Sequence, residues 1–460
     1  MAAMSIDAVE KVETLPLNPP ANASYSFAGG NPIVQFMIAS QDKLLAGSTL
    51  RLNGTLRVQT PAGAYPNNGR DATTAANGNR AGAAFYDLQL NARTGVQSCI
   101  QQVTVTSLEN QTLENVRSYG RYLASVYPVT HSQTDFDSNL QLKSGCQASR
   151  ARQAGVLVNN DLDFSIPLLN GVFNSAVPIP LGQNGFRGLQ IQLELAPDSM
   201  VLYGSGSAAA PNLTGAKYEL RDLSLSYDLL IPDETTRAGM AVPASGAIAY
   251  NSVSSLFSVI NASDITQSFN FGTSNTLSVI HNFLPSTYQN NYSYDSFQTP
   301  RLRNDTAGAG TYLIDAPCRE VSFMKAGLKF PIDFEVDVQT QGEEGRPQTA
   351  LAKPFVDAIK PLPQMNHTLL STATEFGLGT RVNPATGQKP PVATLAGDSP
   401  VFGAGVNFDP VSRVGVNFRN TNYSVRLRSA LDGSSPNSVF TYVLAKNVLS
   451  YSPNGIAVAN

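Results

Sequence analysis

Histidine is scarce in this sequence, and its scarcity removes much of the usual equipment for chemistry at neutral pH. Only His131, His281 and His367 occur in 460 residues. They are far apart, none stands in an H-E-x-x-H or H-x-E pattern, and each is expected as a surface or loop residue. Cysteine is equally rare. Cys99, Cys146 and Cys318 match no metal or redox spacing. Three thiols make no disulfide framework, so small buried or semi-buried thiols in a reducing compartment are expected. No P-loop and no G-x-S-x-G elbow is present. The half-motifs Gly377-Leu378-Gly379 and Gly403-Ala404-Gly405 read as turn glycines. We therefore assign no catalytic residue, no cofactor-binding residue, no metal ligand and no cofactor.

Charge is also low, at 14% of residues with a net value of −3. No basic block exists, which excludes a surface that neutralises nucleic-acid phosphates directly. The first thirty residues lack the apolar stretch of a signal peptide, and no run is long enough to cross a bilayer. The sequons at Asn53, Asn110 and Asn422 are expected by chance in a chain so rich in Asn, Ser and Thr. Tryptophan is absent, although 21 Phe and 17 Tyr are present. A carbohydrate platform would have to use tyrosines, and the cluster YQNNYSY (288–294) instead reads as a loop packing on a neighbour. Asp333, Glu335 and Asp337 raise the idea of a metal or a glycosidase pair, but their spacing is that of one wet strand face. Glu343-Glu344 reads as a loop charge pair.

What the chain does have is alternation. Leu50–Val58 places apolar residues on even positions, with Gly54 interrupting the row as the mark of a bulge. The tract DFSIPLLNGVFNSAVPIPLGQNGFRGLQIQLELA (163–196) ends in a strand with Leu189, Ile191, Leu193 and Leu195 on its dry face. Within it, Ile-Pro-Leu occurs at Ile166–Leu168 and again at Ile179–Leu181. Proline there stops a ladder, and the Asn/Gly connection permits a reversal. Phe330–Val338 reads as the cleanest strand of the second half. Two short helices are predicted, in NVRSYGRYLASVY and in TALAKPFVDAI, the latter weakened by Pro354. Long polar loops cover 60–84, 204–216 and 380–400.

One internal repeat organises the rest. YELRDLSLSY (218–227) and YVLAKNVLSY (442–451) share Tyr-x-Leu-x-x-x-x-Leu-Ser-Tyr. Each follows an alternating strand and a polar loop, and each closes its half of the chain. Duplication explains this, giving two β domains of similar plan and about two hundred residues each.

Three stretches carry a family resemblance. They are GVQSCIQQVTVTS with LENVRSYGRYLASVY, the 163–196 tract, and TNYSVRLRSALDGSSPNSVFTYVLAKNVLSYSPNGIAV at the end. Together they cover about a third of the chain. The chain resembles the double jelly-roll major capsid proteins of the adenovirus, virophage and Polinton-like dsDNA virus lineage. The resemblance implies an all-β chain of two tandem eight-stranded jelly rolls with long loops and a few short helices. Residues 1–30 would be an N-terminal arm, 31–232 the first jelly roll, 233–247 a linker and 248–460 the second jelly roll.

The same resemblance implies a non-enzymatic structural protein of the virion. Three copies would make a homotrimer of pseudo-hexagonal outline that tiles an icosahedral capsid, assembled in host cytoplasm or nucleus. Its partners would be neighbouring capsomers and the penton and minor capsid proteins. An internal membrane or other proteins would stand between shell and DNA. Two other classes fit the residues as well: a minor capsid or spike protein, and a carbohydrate-binding or glycoside-processing β-sandwich built around Asp333 or Glu335.

Overall fold

The computed structural model describes residues 6–17, 19–59, 86–91, 93–135, 138, 141–144, 161–175, 177–182, 187–206, 215–236, 246–262, 264–286, 289–292, 295–297, 320–331, 335–337, 349–361, 403–408, 415–428, 437–452 and 455–459. The first half contributes β1 (Ile6–Thr14), β2 (Ser24–Tyr25), β3 (Ile33–Ala39), β4 (Leu44–Gln59), β5 (Tyr86–Gln89), β6 (Ile100–Ser107) and β7 (Thr112–Arg117). Helix α1 (Tyr119–Thr130) follows, then β8 (Asp161–Pro167), β9 (Ile179–Pro180), β10 (Gly188–Leu195), β11 (Tyr203–Gly206) and β12 (Lys217–Pro232). The second half contributes β13 (Gly246–Ile260), β14 (Ile265–Phe269), β15 (Thr276–Pro285), β16 (Glu320–Lys325), β17 (Leu328–Lys329) and β18 (Glu335–Asp337). Helix α2 (Thr349–Ile359), β19 (Gly403–Asn407), β20 (Tyr423–Arg428), β21 (Asn437–Ser452) and β22 (Gly455–Ala459) complete it.

Sheet order shows that the two halves share one topology. The first half has sheets β1-β12-β4-β8 and β3-β10-β6-β7; the second has β13-β21-β15-β19 and β14-β20-β16-β17, with β18 on the same edge as β17. Count the principal strands of each half in chain order, taking β17 and β18 as one interrupted strand. One sheet is then first, eighth, third, sixth, and the other is second, seventh, fourth, fifth. Every ladder is antiparallel. That is the eight-stranded jelly roll, made twice. The repeat lies on β12 and β21, which occupy the same place in their sheets.

Alternation positions the core as the sequence requires. Leu189, Ile191, Leu193 and Leu195 of β10 are buried, while Gln192 on the other face bonds Gln35 across to β3 at 3.0 Å. Both Ile-Pro pairs end strands, Ile166-Pro167 in β8 and Ile179-Pro180 in β9. At Gly54 the extra residue lies in the partner strand. Asn53 faces Ser224 and Thr55 faces Arg221, so Gly54 stands opposite both Asp222 and Leu223. Asp222 takes φ 48°, and a Cβ on Gly54 would come within 2.6 Å of the Leu223 side chain. The glycine is there to admit its partner's bulge.

Several expectations change. Within the first thirty residues, expected as an arm, Ile6–Thr14 lies antiparallel along β12 as a strand of the first roll. Within the stretch expected as a linker, Gly246 and Ala247 already belong to β13. The helix expected from Asn115 begins only at Tyr119. Residues up to Arg117 pair with β6, and Ser118 turns the chain at φ 52°. Of the strand expected over 330–338, Phe330 N–H reaches Phe323 O and Glu335 faces Ser322, Pro331 has no N–H to give, and 332–334 and 338 lie outside the described residues. Helix α2 keeps Pro354 inside it, because Phe355, Ala358 and Ile359 are buried. Gly403 and Gly405 are strand residues of β19, not turn glycines. A Cβ on Gly403 would lie 2.4 Å from the Phe355 ring, and one on Gly405 2.9 Å from Ala358 Cβ, so their bareness lets α2 lie on the sheet. Gly377–Gly379 and the loops at 60–84 and 380–400 lie outside the described residues.

Candidate functional site: the seam between the rolls

The residues that could have suggested chemistry are dispersed. His281 is a core residue, contrary to expectation. Its Nδ1 lies 2.8 Å from Thr441 Oγ1 and its Nε2 2.7 Å from Tyr423 Oη, and burial lowers its pKa to about 3. His131 caps α1 beside Thr130 Oγ1, with its pKa lowered by burial. His367, Cys146, Cys318, Asp333 and the pair Glu343-Glu344 lie outside the described residues. Cys99 is a buried thiol whose pKa is pushed up by burial and by Asp198. Glu335 and Asp337 pair with Ser322 and Glu320 on a sheet edge. Among the described residues no cluster of His, Cys, Asp or Glu has the makings of a metal site. A polar hollow of about 220 Å³ is lined by Ser24, Asn31, Lys217 and Glu219, and within it Ser24 Oγ donates to Glu219 Oε2 at 2.7 Å. From the tyrosine cluster, Tyr292 is half-buried and donates to Ala216 O of the first roll at 2.8 Å, so it forms no exposed platform.

Tyr292 is instead one of many contacts that lock roll to roll. β7 ends one sheet of the first roll and β13 ends one sheet of the second. The two edges meet through side chains rather than a shared ladder. Val253 N–H donates to Glu114 Oε1 at 2.8 Å, and Arg117 N–H donates to Ser255 Oγ at 2.7 Å. Tyr250 Oη donates to Leu113 O at 2.8 Å. Edge groups that would otherwise template foreign strands are thus occupied inside the chain. Glu114 Oε2 also accepts Val172 N–H at 3.2 Å, so one carboxyl ties β7, the loop after β8 and β13 together. Burial raises its pKa to about 7, against the pull of these backbone N–H groups.

Helix α1 fills the next layer. Arg121, fully buried, places its guanidinium 4.4 Å from the Phe440 ring centroid. Burial lowers its pKa to about 10, while Tyr442 and Asp295 act the other way. Tyr122 packs on Tyr442 with ring centroids 5.2 Å apart, and Tyr442 Oη donates to Ser118 O at 3.0 Å. Asn282 donates to Ser125 Oγ. The loop after β15 reaches back in turn, where Asp295 accepts Asn91 Nδ2–H at 2.8 Å. Two glycines set the closeness of approach. A Cβ on Gly171 would lie 1.7 Å from Asn251 O, and one on Gly120 2.8 Å from the Phe297 ring.

Sequence reasoning missed these residues. Glu114 reads as one more polar position in TLENVR, and Gly171 as part of a reversal. A lone acid between apolar strand residues, flanked by an aromatic-rich helix, was the only signal available.

The chain matches solved structures from end to end. The capsid of the virus PBCV-1 aligns with TM-score 0.60 and 14% identity over 100% of this chain and 98% of that one. The fold is that of a major capsid protein. The Faustovirus major capsid protein aligns with TM-score 0.55 and 10% identity, covering 98% and 92% of the two chains. The mavirus major capsid protein gives 0.53 and 8%, covering 97% and 89%. At these identities the likeness is one of backbone architecture, and it spans both rolls of the double jelly roll. No family model matches the sequence, and no curated protein does.

Proposed function

We propose that this chain is the major capsid protein of a dsDNA virus, a non-enzymatic wall unit whose three copies form a pseudo-hexameric capsomer. One observation carries the reading. Two rolls of identical strand order are fixed to each other by a dense, side-chain-mediated seam, so a single chain presents two similar units in a set orientation. Three such chains offer six similar units, which lets a three-fold object fill a six-neighbour position in an icosahedral shell. Low charge without a basic block supports a shell that meets other proteins or an internal membrane rather than DNA. Its partners on this reading are neighbouring capsomers, penton and minor capsid proteins, and its place is the virion.

Light scattering on the purified chain tests the proposal. The expected mass is three times the 48.9 kDa chain. Negative-stain images should show hexagonal outlines. A monomer at every concentration would overturn the reading.

A further inference from the structure

The polar hollow of the first roll stands away from the seam, where two strands meet a tight loop. Gln59 is the last residue of β4 and Lys217 the first of β12, so the hollow lies where the chain leaves one strand and enters the other. One wall is the loop Ser26–Asn31, which its own bonds hold closed. Asn31 N–H donates to Ser26 O at 3.1 Å, Gly30 N–H to Phe27 O at 3.1 Å and Gly29 N–H to Ser26 Oγ at 2.8 Å. Gly30 takes φ 77°, a conformation that glycine adopts without strain. The wall is therefore shaped in advance, and little ordering is needed when a ligand enters.

The chemistry of the hollow is that of amides and hydroxyls. Glu219 Oε2 accepts the Ser24 hydroxyl at 2.7 Å, while Oε1 accepts Gln59 Nε2–H at 3.2 Å and the Arg221 guanidinium. Both carboxylate oxygens are thus engaged. Two cations, Lys217 and Arg221, stand against two acids, Glu219 and Asp198, so no net charge is left to select an ion. What remains for a ligand is neutral. Asn22 Nδ2, Gln59 Oε1 and the side-chain amide of Asn31 make no hydrogen bond among the described residues. An amide offers a donor and an acceptor side by side, the complement of two neighbouring hydroxyls. Phe27, between the lining residues Ser26 and Ala28, is 44% exposed, which puts a large apolar ring next to this polar surface.

We propose that the hollow binds one neutral pyranose sugar, with its hydroxyls on Asn22, Asn31 and Gln59 and a C–H face of its ring against Phe27. The volume of about 220 Å³ is small beside the roughly 300–1,000 Å³ of sites for drug-sized ligands, which sets the occupant at a single small ring. A few placed polar groups beside an aromatic surface fix the orientation of such a ligand. The inference goes beyond the capsomer reading and does not depend on it.

Saturation-transfer NMR on the full-length chain tests it. The probes are the methyl glycosides of glucose, galactose, mannose and N-acetylglucosamine, with inorganic phosphate followed by its phosphorus-31 line width. At least one glycoside should receive saturation at its ring protons, and phosphate should not broaden. Asn31→Ala should weaken that glycoside about tenfold, the loss of one or two hydrogen bonds. Phe27→Ala should remove saturation from one face of the ring. Both side chains are exposed, so circular dichroism should match the parent. Silence from all four glycosides would overturn the proposal. So would saturation that survives in the Asn31→Ala/Phe27→Ala double variant, because the sugar would then sit elsewhere. Phosphate broadening that Lys217→Met abolishes would make the hollow an anion site instead. The mass of the same samples by light scattering reads the capsomer proposal separately from each of these outcomes.

Discussion

Glu114 of the first roll holds Val253 of the second by a backbone N–H bond of 2.8 Å, and among the described residues no cation stands with the groups that set its charge. The titratable groups facing it are Tyr119 and Tyr122 of α1 and Tyr250 of β13, all with pKa values raised by burial. A carboxyl so placed makes the seam sensitive to pH.

Its pKa is raised from 4.5 to about 7, so protonation is easier in the folded chain than in the unfolded one. The stabilisation tied to that proton is complete below about 4.5 and is lost as pH rises through about 7. The full range corresponds to roughly 3 kcal/mol. Glu114→Gln removes the titration. Relative to that variant, the parent should gain thermal stability as pH falls from about 8.5 to 5.5. Parallel melting curves for the two proteins would contradict the assignment.

Gly171 carries the steric half of the seam. A methyl group there must displace the Asn251 carbonyl, backbone against backbone, with no flexible side chain to yield. Gly171→Ala should cost about 3 kcal/mol in urea unfolding, the upper part of the overpacking range. Gly182→Ala, where a new Cβ meets the Asp42 carboxylate at 3.2 Å and Gln41 O at 3.8 Å, serves as the mild comparison and should cost less than about 1 kcal/mol.

Alternation and proline placement made the rolls legible, because both are local. Leu189–Leu195 and the two Ile-Pro stops needed nothing beyond their neighbours in sequence. The Tyr-x-Leu repeat exposed the duplication because β12 and β21 occupy equivalent central positions and bury the same faces. The seam was not legible, because its logic is tertiary. Glu114 differs from a solvated strand acid only through Val172 and Val253, which lie far along the chain. The misplaced start of α1 has a related cause. Val116 is buried both in a helix reading and in the strand that forms, so periodicity alone did not decide between them until the register with Val103 was seen.

His281 responds to acid in the opposite sense to Glu114. Its pKa is lowered from 6.5 to about 3, so the folded chain resists protonation that the unfolded chain accepts. Its contribution is present above 6.5 and is lost as pH falls toward about 3. Nitrogen-15 imidazole shifts should show it neutral at pH 5, when an exposed histidine is charged. A charged His281 at that pH would mean that the Thr441 and Tyr423 contacts do not hold it.

The repeat also supplies a matched pair of substitutions. Tyr218 and Tyr442 hold the same place in the motif and both are fully buried, yet their hydroxyls serve different ends. Tyr218 Oη donates to Ala196 O at 2.6 Å inside the first roll, while Tyr442 Oη donates across the seam to Ser118 O. Each Tyr→Phe change removes one hydroxyl donor, which in Tyr218 also reaches Cys99 O at 3.3 Å, and should cost about 1 to 2 kcal/mol. The distribution of that loss separates them. Hydrogen exchange in Tyr442→Phe should rise at the start of α1 and in β7 and β13, because those elements share the seam. In Tyr218→Phe it should rise in β10 and β12 and leave β13 unchanged. Equal protection of β13 in both variants would show that the Tyr442 hydroxyl does not hold the two rolls together.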